Sequence, residues 1–447
     1  MRLPPLIVAA VGLALAACDG PADLPLPAKP ALADSVAALR HDGIDAASPL
    51  TVSHVAVLAV WNNPDLRAVR ALHDVAQAQV LQAGLLPNPQ VSGSILPLTA
   101  AEFGTVKATQ AWTAGISEDI RSLITLSSNR AAARASAGQV DAQILWQEWQ
   151  VVGQARLLAV DIIEADRVLA LLARTRDLFA ARYSKLQQAV AAGNETLTVS
   201  TPDLAAWQAT ITQINDLQRQ QLARRHQLNA LLGLAPEVVV QFGQAPDVPA
   251  WNSGAAAQAL PTLADRRPDL VALRLGYRAQ NAKLRTAILS RFPNLVFGVT
   301  GSSDNFNVRN VGPQISMELP VFNHNQGNIA IEVATRRQLH DEYAARLTAA
   351  VGQVRAMMAE IDLLTHQLAT VRRNLADTER AAAQAEGAFK AGNLDERGYV
   401  ELAAARLSKK EEIVAIEQAL LDQQVAIATL VGAGMPEIAM PAGDTGP

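Results

Sequence analysis

The sequence predicts a mainly α-helical protein with a smaller β portion, the whole built twice over. Three observations lead there. Ala, Leu, Gln and Arg dominate the 447 residues and only 4% are aromatic, a balance that favours long helices packed through small side chains. No proline falls between Pro97 and Pro202 or between Pro320 and Pro436, so nothing interrupts a long helix in either stretch. Ahead of each stretch stand short segments in which apolar and polar residues alternate, as half-exposed strands do.

The chain opens with "MRLPPLIVAAVGLALAAC", a charged start at Arg2, an apolar run and small residues. The run is too short for a spanning helix and has the form of a signal peptide. Leu15-Ala16-Ala17-Cys18 resembles a bacterial lipobox, in which the cysteine is acylated with chains such as palmitate and becomes the mature N-terminus. The alternative is an ordinary signal peptide with an incidental cysteine. Asp19 follows, a residue that in enteric bacteria tends to retain lipoproteins in the inner membrane. Residues 19–47, Pro-rich at first, read as an extended tether. A helix capped by Ser48 or Thr51 comes next, and Pro64 begins another.

From here the sequence repeats. "PDLRAVRALHDVAQAQVLQAGLLPN" from Pro64 is echoed by "PDLVALRLGYRAQNAKLRTAILSRFPN" from Pro268. Ile116, Asp119 and Asn129 align with Ile315, Glu318 and Asn328. Ile116 to Gly193 and Ile315 to Gly392 both span 77 positions, and Gly193 to Gly233 and Gly392 to Gly432 both span 40. A shared spacing of this length marks a tandem duplication. The first repeat is placed at 48–235, a linker at 236–255, the second repeat at 256–434 and a disordered tail at 435–447.

Each repeat is expected to hold two strands and one long helical hairpin. The strands fall at about 90–98 and 110–119, then 293–301 and 309–321; the hairpins fall at about 127–232 and 325–431. In "RNVGPQISMELPV", Val311, Pro313, Ile315, Met317 and Leu319 form an apolar face; Leu295, Phe297 and Val299 form another, as do Trp112, Ala114 and Ile116. Asp119 and Glu318 fall on the polar face. Leu158, Ile162, Leu169, Leu172, Phe179, Tyr183, Leu186 and Val190 follow coiled-coil spacing. At 1.5 Å per residue a helix over 127–191 reaches roughly 100 Å. The Gly-Asn pairs at 193–194 and 392–393 are helix stops that turn each hairpin.

Nothing after residue 18 offers 18 uninterrupted apolar residues, so a membrane crossing would have to be a closed β-barrel. Four strands cannot close one, since the smallest known barrel has eight. A spanning chain must therefore oligomerise: two copies supply eight strands and three supply twelve. A cyclic trimer of twofold repeats also gives the projecting helices pseudo-sixfold symmetry.

In order, duplication and spacing, the "GLLPNPQ" helix end, the "PVFNHNQGNIA" strand-to-helix turn and the Gly-Asn tips resemble the TolC-like outer membrane efflux proteins across nearly all of the mature chain. That resemblance implies a homotrimer with a twelve-stranded β-barrel in the outer membrane, set in its lipid, and a periplasmic α-helical barrel. It implies work with a periplasmic adaptor and an inner-membrane pump of the RND type, exporting heavy-metal cations or drugs. "GLLPNPQ" and "FNHNQGNIA" look most similar to partners of cobalt–zinc–cadmium-type pumps. Many family members carry a lipid anchor, as Cys18 would.

The family docks its adaptor at the hairpin tips, which carries over to Ala192, Gly193 and Asn194 and to Ala391, Gly392, Asn393 and Leu394. The second tip keeps the family's Leu394-Asp395 continuation. The first has "NETLTVSTPDL", with Pro202 inside it, and fits loosely. Both glycines also serve any helical hairpin as turn residues. Pore constriction candidates are Asp395, Glu396 and Glu401, because rings of carboxylates select cations. Asp395 and Glu396 equally complement a helix dipole, and Glu401 is the expected lining residue.

Other classes find little support. A net charge of −4 and a pI near 6 offer no basic face to nucleic acid. The seven histidines are scattered without ligand spacing, so no metal site is expected and His324 is read as a turn residue. No P-loop, dinucleotide fingerprint or nucleophile elbow occurs, so neither an enzyme nor a cofactor is expected. The rival reading is a periplasmic coiled-coil lipoprotein acting as scaffold or adaptor without spanning the membrane.

Overall fold

A computed structural model describes residues 23–99 and 109–432. Cys18, the tip of the first β-hairpin and the tail at 435–447 lie outside the described residues. The protein is mainly α-helical, and each repeat runs short helix, β-hairpin, long helix and returning helix.

In the first repeat α1 (Val52–Asn62) is capped by Thr51, whose hydroxyl accepts from the His54 amide at 3.1 Å. Asn63 caps α2 (Pro64–Gly84) by accepting from the Leu66 amide at 2.9 Å. Pro64 sits where an amide would have no helical partner anyway. Strands β1 (Gln90–Leu96) and β2 (Ala111–Asp119) follow, then α3 (Ile120–Ala191, 72 residues) and α4 (Leu197–Leu232). Two short helices, α5 (Ser253–Ala259) and α6 (Leu263–Arg266), introduce the second repeat. It comprises α7 (Pro268–Leu289), β3 (Leu295–Ser303), β4 (Arg309–Met317), α8 (Gln326–Lys390, 65 residues) and α9 (Glu396–Val431).

The long helices begin differently, and the expected start at residue 127 is corrected. α3 leaves directly from β2 because the Asp119 carboxylate accepts from the Arg121 amide at 2.9 Å and caps the helix. The equivalent of Arg121 in the second repeat is Pro320, which has no amide to donate to a capping Glu318 and disfavours helical backbone at Leu319, and α8 starts only at Gln326. Asp119 is therefore a helix cap, and Glu318 lies beyond the end of β4. β1 and β4 likewise stop at Leu96 and Met317, short of the expected 98 and 321.

The duplication is visible in the core. Ala155, Ile162, Leu228 and Leu232 are buried where the hairpin of the first repeat packs on α1, and their equivalents Val354, Ile361, Ile427 and Val431 are buried in the second. Each such large side chain contributes about 1.5–3 kcal/mol. All four hairpin and return ends turn through left-handed glycines: Gly193, Gly233, Gly392 and Gly432 have φ of 77°, 73°, 73° and 67°. One window of α9 is apolar enough to span a membrane by composition. Its Ile413, Leu420 and Ile427 instead pack in the core, and the Trp149 indole donates to the Thr429 carbonyl at 2.8 Å.

The segments read as tether and linker are docked on this core. Ala33 bridges Leu234, Leu50 bridges Phe242, and Leu39 is buried. The Val52 amide donates to the Asp247 carboxylate at 2.5 Å, and Asn252 caps α5. At the head of α7, Arg267 forms a buried two-point pair with Asp269 at 2.8 and 2.6 Å and stacks over Trp146.

Candidate channel wall and hairpin tips

The four strands form one antiparallel sheet in the order β1-β2-β3-β4, so β2 and β3 join the two repeats, from Trp112 opposite Ser303 to Asp119 opposite Val296. Residues opposite one another share a face. One face carries Val91, Ile95, Trp112, Ile116, Phe297, Val299, Val311 and Ile315; the other carries Ser92, Ser94, Thr113, Ser117, Thr300, Ser302, Gln314 and Ser316. The apolar face is open: Val91 is 83% exposed, Val311 82% and Ile315 66%. Eight contiguous exposed apolar side chains of this kind are a surface built for something other than water. Both edge strands, β1 and β4, also present unpaired ladder groups. Gly298 lets β2 and β3 approach, since a Cβ there would stand 2.5 Å from the Ile116 carbonyl oxygen.

At the far end the two hairpin turns are built alike. The Gly193 amide donates to the Val190 carbonyl at 3.0 Å and Asn194 to Ala189 at 2.9 Å; Gly392 donates to Phe389 at 3.0 Å and Asn393 to Ala388 at 2.8 Å. Ala192, Gly193 and Asn194 are exposed, as are Ala391, Gly392 and Asn393, while Leu394 is half-buried. Below each turn a stacked pair stiffens the hairpin, Tyr183 on Trp207 at 5.8 Å and Phe389 on Tyr399 at 5.0 Å. Pro202 is accommodated inside α4 rather than breaking it.

The three acidic candidates at the second tip all have partners. Asp395 caps α9, accepting from the Gly398 amide at 2.9 Å. Glu396 pairs with Lys185 at 2.6 Å and so ties α9 to α3. Glu401 accepts from Arg397 at 2.8 Å on the exposed flank, and this bond holds the guanidinium above its usual value. Beside them Arg182 and Asp203 form a buried pair at 3.3 Å; burial pushes the Asp203 carboxyl up, and Arg182 opposes that.

The sequence reading missed a polar layer midway along the hairpins. Glu164 is fully buried on α3; it accepts from Arg167 at 2.7 Å, and Arg167 also reaches Glu417 on α9 at 3.0 Å. Arg372 on α8 binds Glu417 too, at 2.8 Å. Asp161 accepts from Gln418 at 2.5 Å and faces Arg224 at 3.3 Å. Burial pushes Glu164 up, and burial with the Asp161 charge pushes Asp422 up to about 7. The signal was present in "LAVDIIEADR", where Asp161 and Glu164 interrupt an otherwise apolar stretch of the seam. Among the described residues no group of three metal-ligating side chains occurs.

The exposed sheet, long hairpins and duplicated tips have counterparts among known proteins. Residues 259–433 match the family described as outer membrane efflux protein. The chain is 24% identical over 305 residues, 67% of its length, to the cobalt-zinc-cadmium resistance protein CzcC of Cupriavidus metallidurans, covering 70% of that protein. It shares its fold with the Campylobacter jejuni CmeC outer membrane channel, at a TM-score of 0.71 and 15% identity over 92% of this chain and 94% of that one. It also shares it with CusC, at a TM-score of 0.66 and 19% identity over 92% and 99%. The second repeat thus matches the outer membrane efflux protein family in sequence, and the chain shares the fold of outer membrane channels along almost its whole length.

Proposed function

We propose that the protein is the outer-membrane channel of a tripartite efflux system, in which three copies close a twelve-stranded barrel and a helical tube. The observation that carries this reading is the sheet. Its apolar face is exposed, its other face is polar, and both edges are unpaired. In lipid those edges would each leave backbone groups unsatisfied at several kcal/mol apiece, and only closure with further copies removes them. A scaffold confined to the periplasm leaves the exposed Val91, Val311 and Ile315 without a purpose.

In this arrangement the apolar face meets outer-membrane lipid, the polar face lines water, and the hairpins extend through the periplasm. The exposed tips at Ala192, Gly193, Asn194, Ala391, Gly392, Asn393 and half-buried Leu394 receive a periplasmic adaptor that couples to an RND-type pump. An acylated Cys18 holds the N-terminus to the membrane. The CzcC relative, a cobalt-zinc-cadmium resistance protein, favours divalent metal cations as cargo over drugs.

Strand register supplies the test. The β2–β3 pairing of Gly115 with Thr300, carried through the repeat, sets Gln314 of one copy opposite Ser94 of the next. Oxidation of a Ser94→Cys/Gln314→Cys variant in outer membranes should yield cross-linked dimers and trimers, with neither single variant doing so. A chain recovered as a salt-extractable monomer would overturn the reading. For the pore, Glu401 is the lining carboxylate of the constriction, with Asp395 and Glu396 beside it. A Glu401→Gln trimer in planar bilayers should lose cation selectivity and divalent block; unchanged values would remove Glu401 from that role.

A further inference from the structure

α7 is flanked on two sides within the chain, by α3 and by α8, whereas its repeat equivalent α2 is flanked on one. α2 holds α3 through Arg70 and Glu148 at 2.6 Å and through His73 and Asp141 at 2.6 Å. Its opposite flank, including Arg67, Ala71, Leu72 and Gln82, is exposed throughout. With Pro64 set on Pro268, that flank is equivalent to the side of α7 that packs on α3. The equivalent of the receiving surface of α3 lies on α8, at Asn328, Arg337 and Asp341, and it too is exposed.

The geometry points to a specific seam between copies: α2 of one chain lies against α8 of the next, with Arg67 paired to Asp341. The inference rests on the closed ring proposed above and adds the contact that builds its helical part. Each contact inside the chain has a complementary counterpart. Ala142 packs with Val271, Ala272 and Leu275 in a buried cluster; the equivalent residues set Asp341 against Arg67, Ala68 and Ala71. Gly138 leaves room for Leu275, whose Cδ1 would be 3.4 Å from a Cβ added there; the equivalents reverse the sizes, Arg337 against Ala71. The Thr286 hydroxyl donates to Asn129 at 2.9 Å; the equivalents are Gln82 and Asn328, again able to hydrogen-bond.

Chemistry explains why an apolar contact becomes a polar one. The seam inside the chain forms as the chain folds and never opens. The seam between chains must stay in water until copies meet, and charges keep it soluble while opposite signs fix its register. Arg67 has no ion pair within the protomer among the described residues, and Asp341 touches only its neighbour His340, on the surface.

The test is disulfide trapping in the full-length protein in outer membranes. Arg67→Cys/Asp341→Cys should form dimers and trimers under mild oxidation, as Ser94→Cys/Gln314→Cys should at the strands. Strand cross-links without helix cross-links would overturn the seam and leave the ring standing. Absence of both would overturn the ring and the seam with it. Independently, Arg67→Asp and Asp341→Arg should each lower the trimer yield on semi-native gels, and R67D/D341R should restore it. Equal yields in single and double variants would contradict the pairing.

Discussion

Replacing Asp422 with asparagine should make the protein more stable at pH 8 and leave it nearly unchanged at pH 4. The Asp422 carboxyl is pushed up to about 7 by burial and by the Asp161 charge, with Arg224 opposing and Glu164 adding to the rise. One of its oxygens, Oδ1, is buried without a hydrogen-bond partner. The folded chain therefore keeps a proton that the unfolded chain, titrating near 3.8, has already released. Stability is greatest below about pH 4, falls as pH rises towards 7 and levels off above it. A rise from 3.8 to about 7 corresponds to about 4 kcal/mol. Asp422 is only half-buried, so solvent screening reduces this to about 1–2 kcal/mol. An asparagine side chain at this position carries no charge and can donate to Asp161, so the variant should gain that amount at pH 8. Thermal unfolding followed by circular dichroism in detergent, at pH 4.5 and pH 8, measures it. Parallel pH profiles for the two proteins, or an asparagine variant weaker at pH 8, would refute the assignment of a buried charge repulsion to this layer.

Three other outcomes follow from named contacts. Arg182→Ala strands Asp203 in a buried site and should cost about 3–5 kcal/mol at neutral pH, with a smaller loss as pH falls, because burial raises the carboxyl and favours its protonated form; urea unfolding across a descending pH series reads the difference. Gly298→Val should abolish trimer recovery from outer membranes, because its Cβ would meet the Ile116 carbonyl oxygen at 2.5 Å, whereas Gly312→Val, with nothing within 4 Å, should be tolerated. Gly392→Ala should lower stability by about 1–2 kcal/mol, since φ is 73° in open space and the only penalty is backbone strain; normal unfolding of this variant would remove the argument for a required left-handed turn.

The repeat was readable because spacing survives where identity does not. Helix stops need left-handed glycines, so Gly193, Gly233, Gly392 and Gly432 kept their distances while the residues between them drifted. The strand faces were readable because alternation persists even in segments as short as seven to nine residues. Asp119 lies on the polar strand face as expected, but its capping role was missed because a carboxylate at a strand end gives no sign of the helix that starts beside it. The equivalence to Glu318 hid the fact that Pro320 stands in only one copy. The polar layer around Glu164 and Asp422 escaped because its partners come from four helices, at separations such as Arg167 to Glu417 that no local pattern records. Partnering of Glu396 by Lys185 is of the same kind: the acid was visible in sequence, and its counter-charge lay in the other repeat.

The central claim, that this chain is one third of a closed tube, is tested most directly by its mass in detergent. Light scattering on protein extracted from outer membranes should give three times the 47.4 kDa chain mass, less the removed signal peptide, after correction for detergent. A single-chain mass under conditions that preserve the far-UV helical signal would contradict the claim.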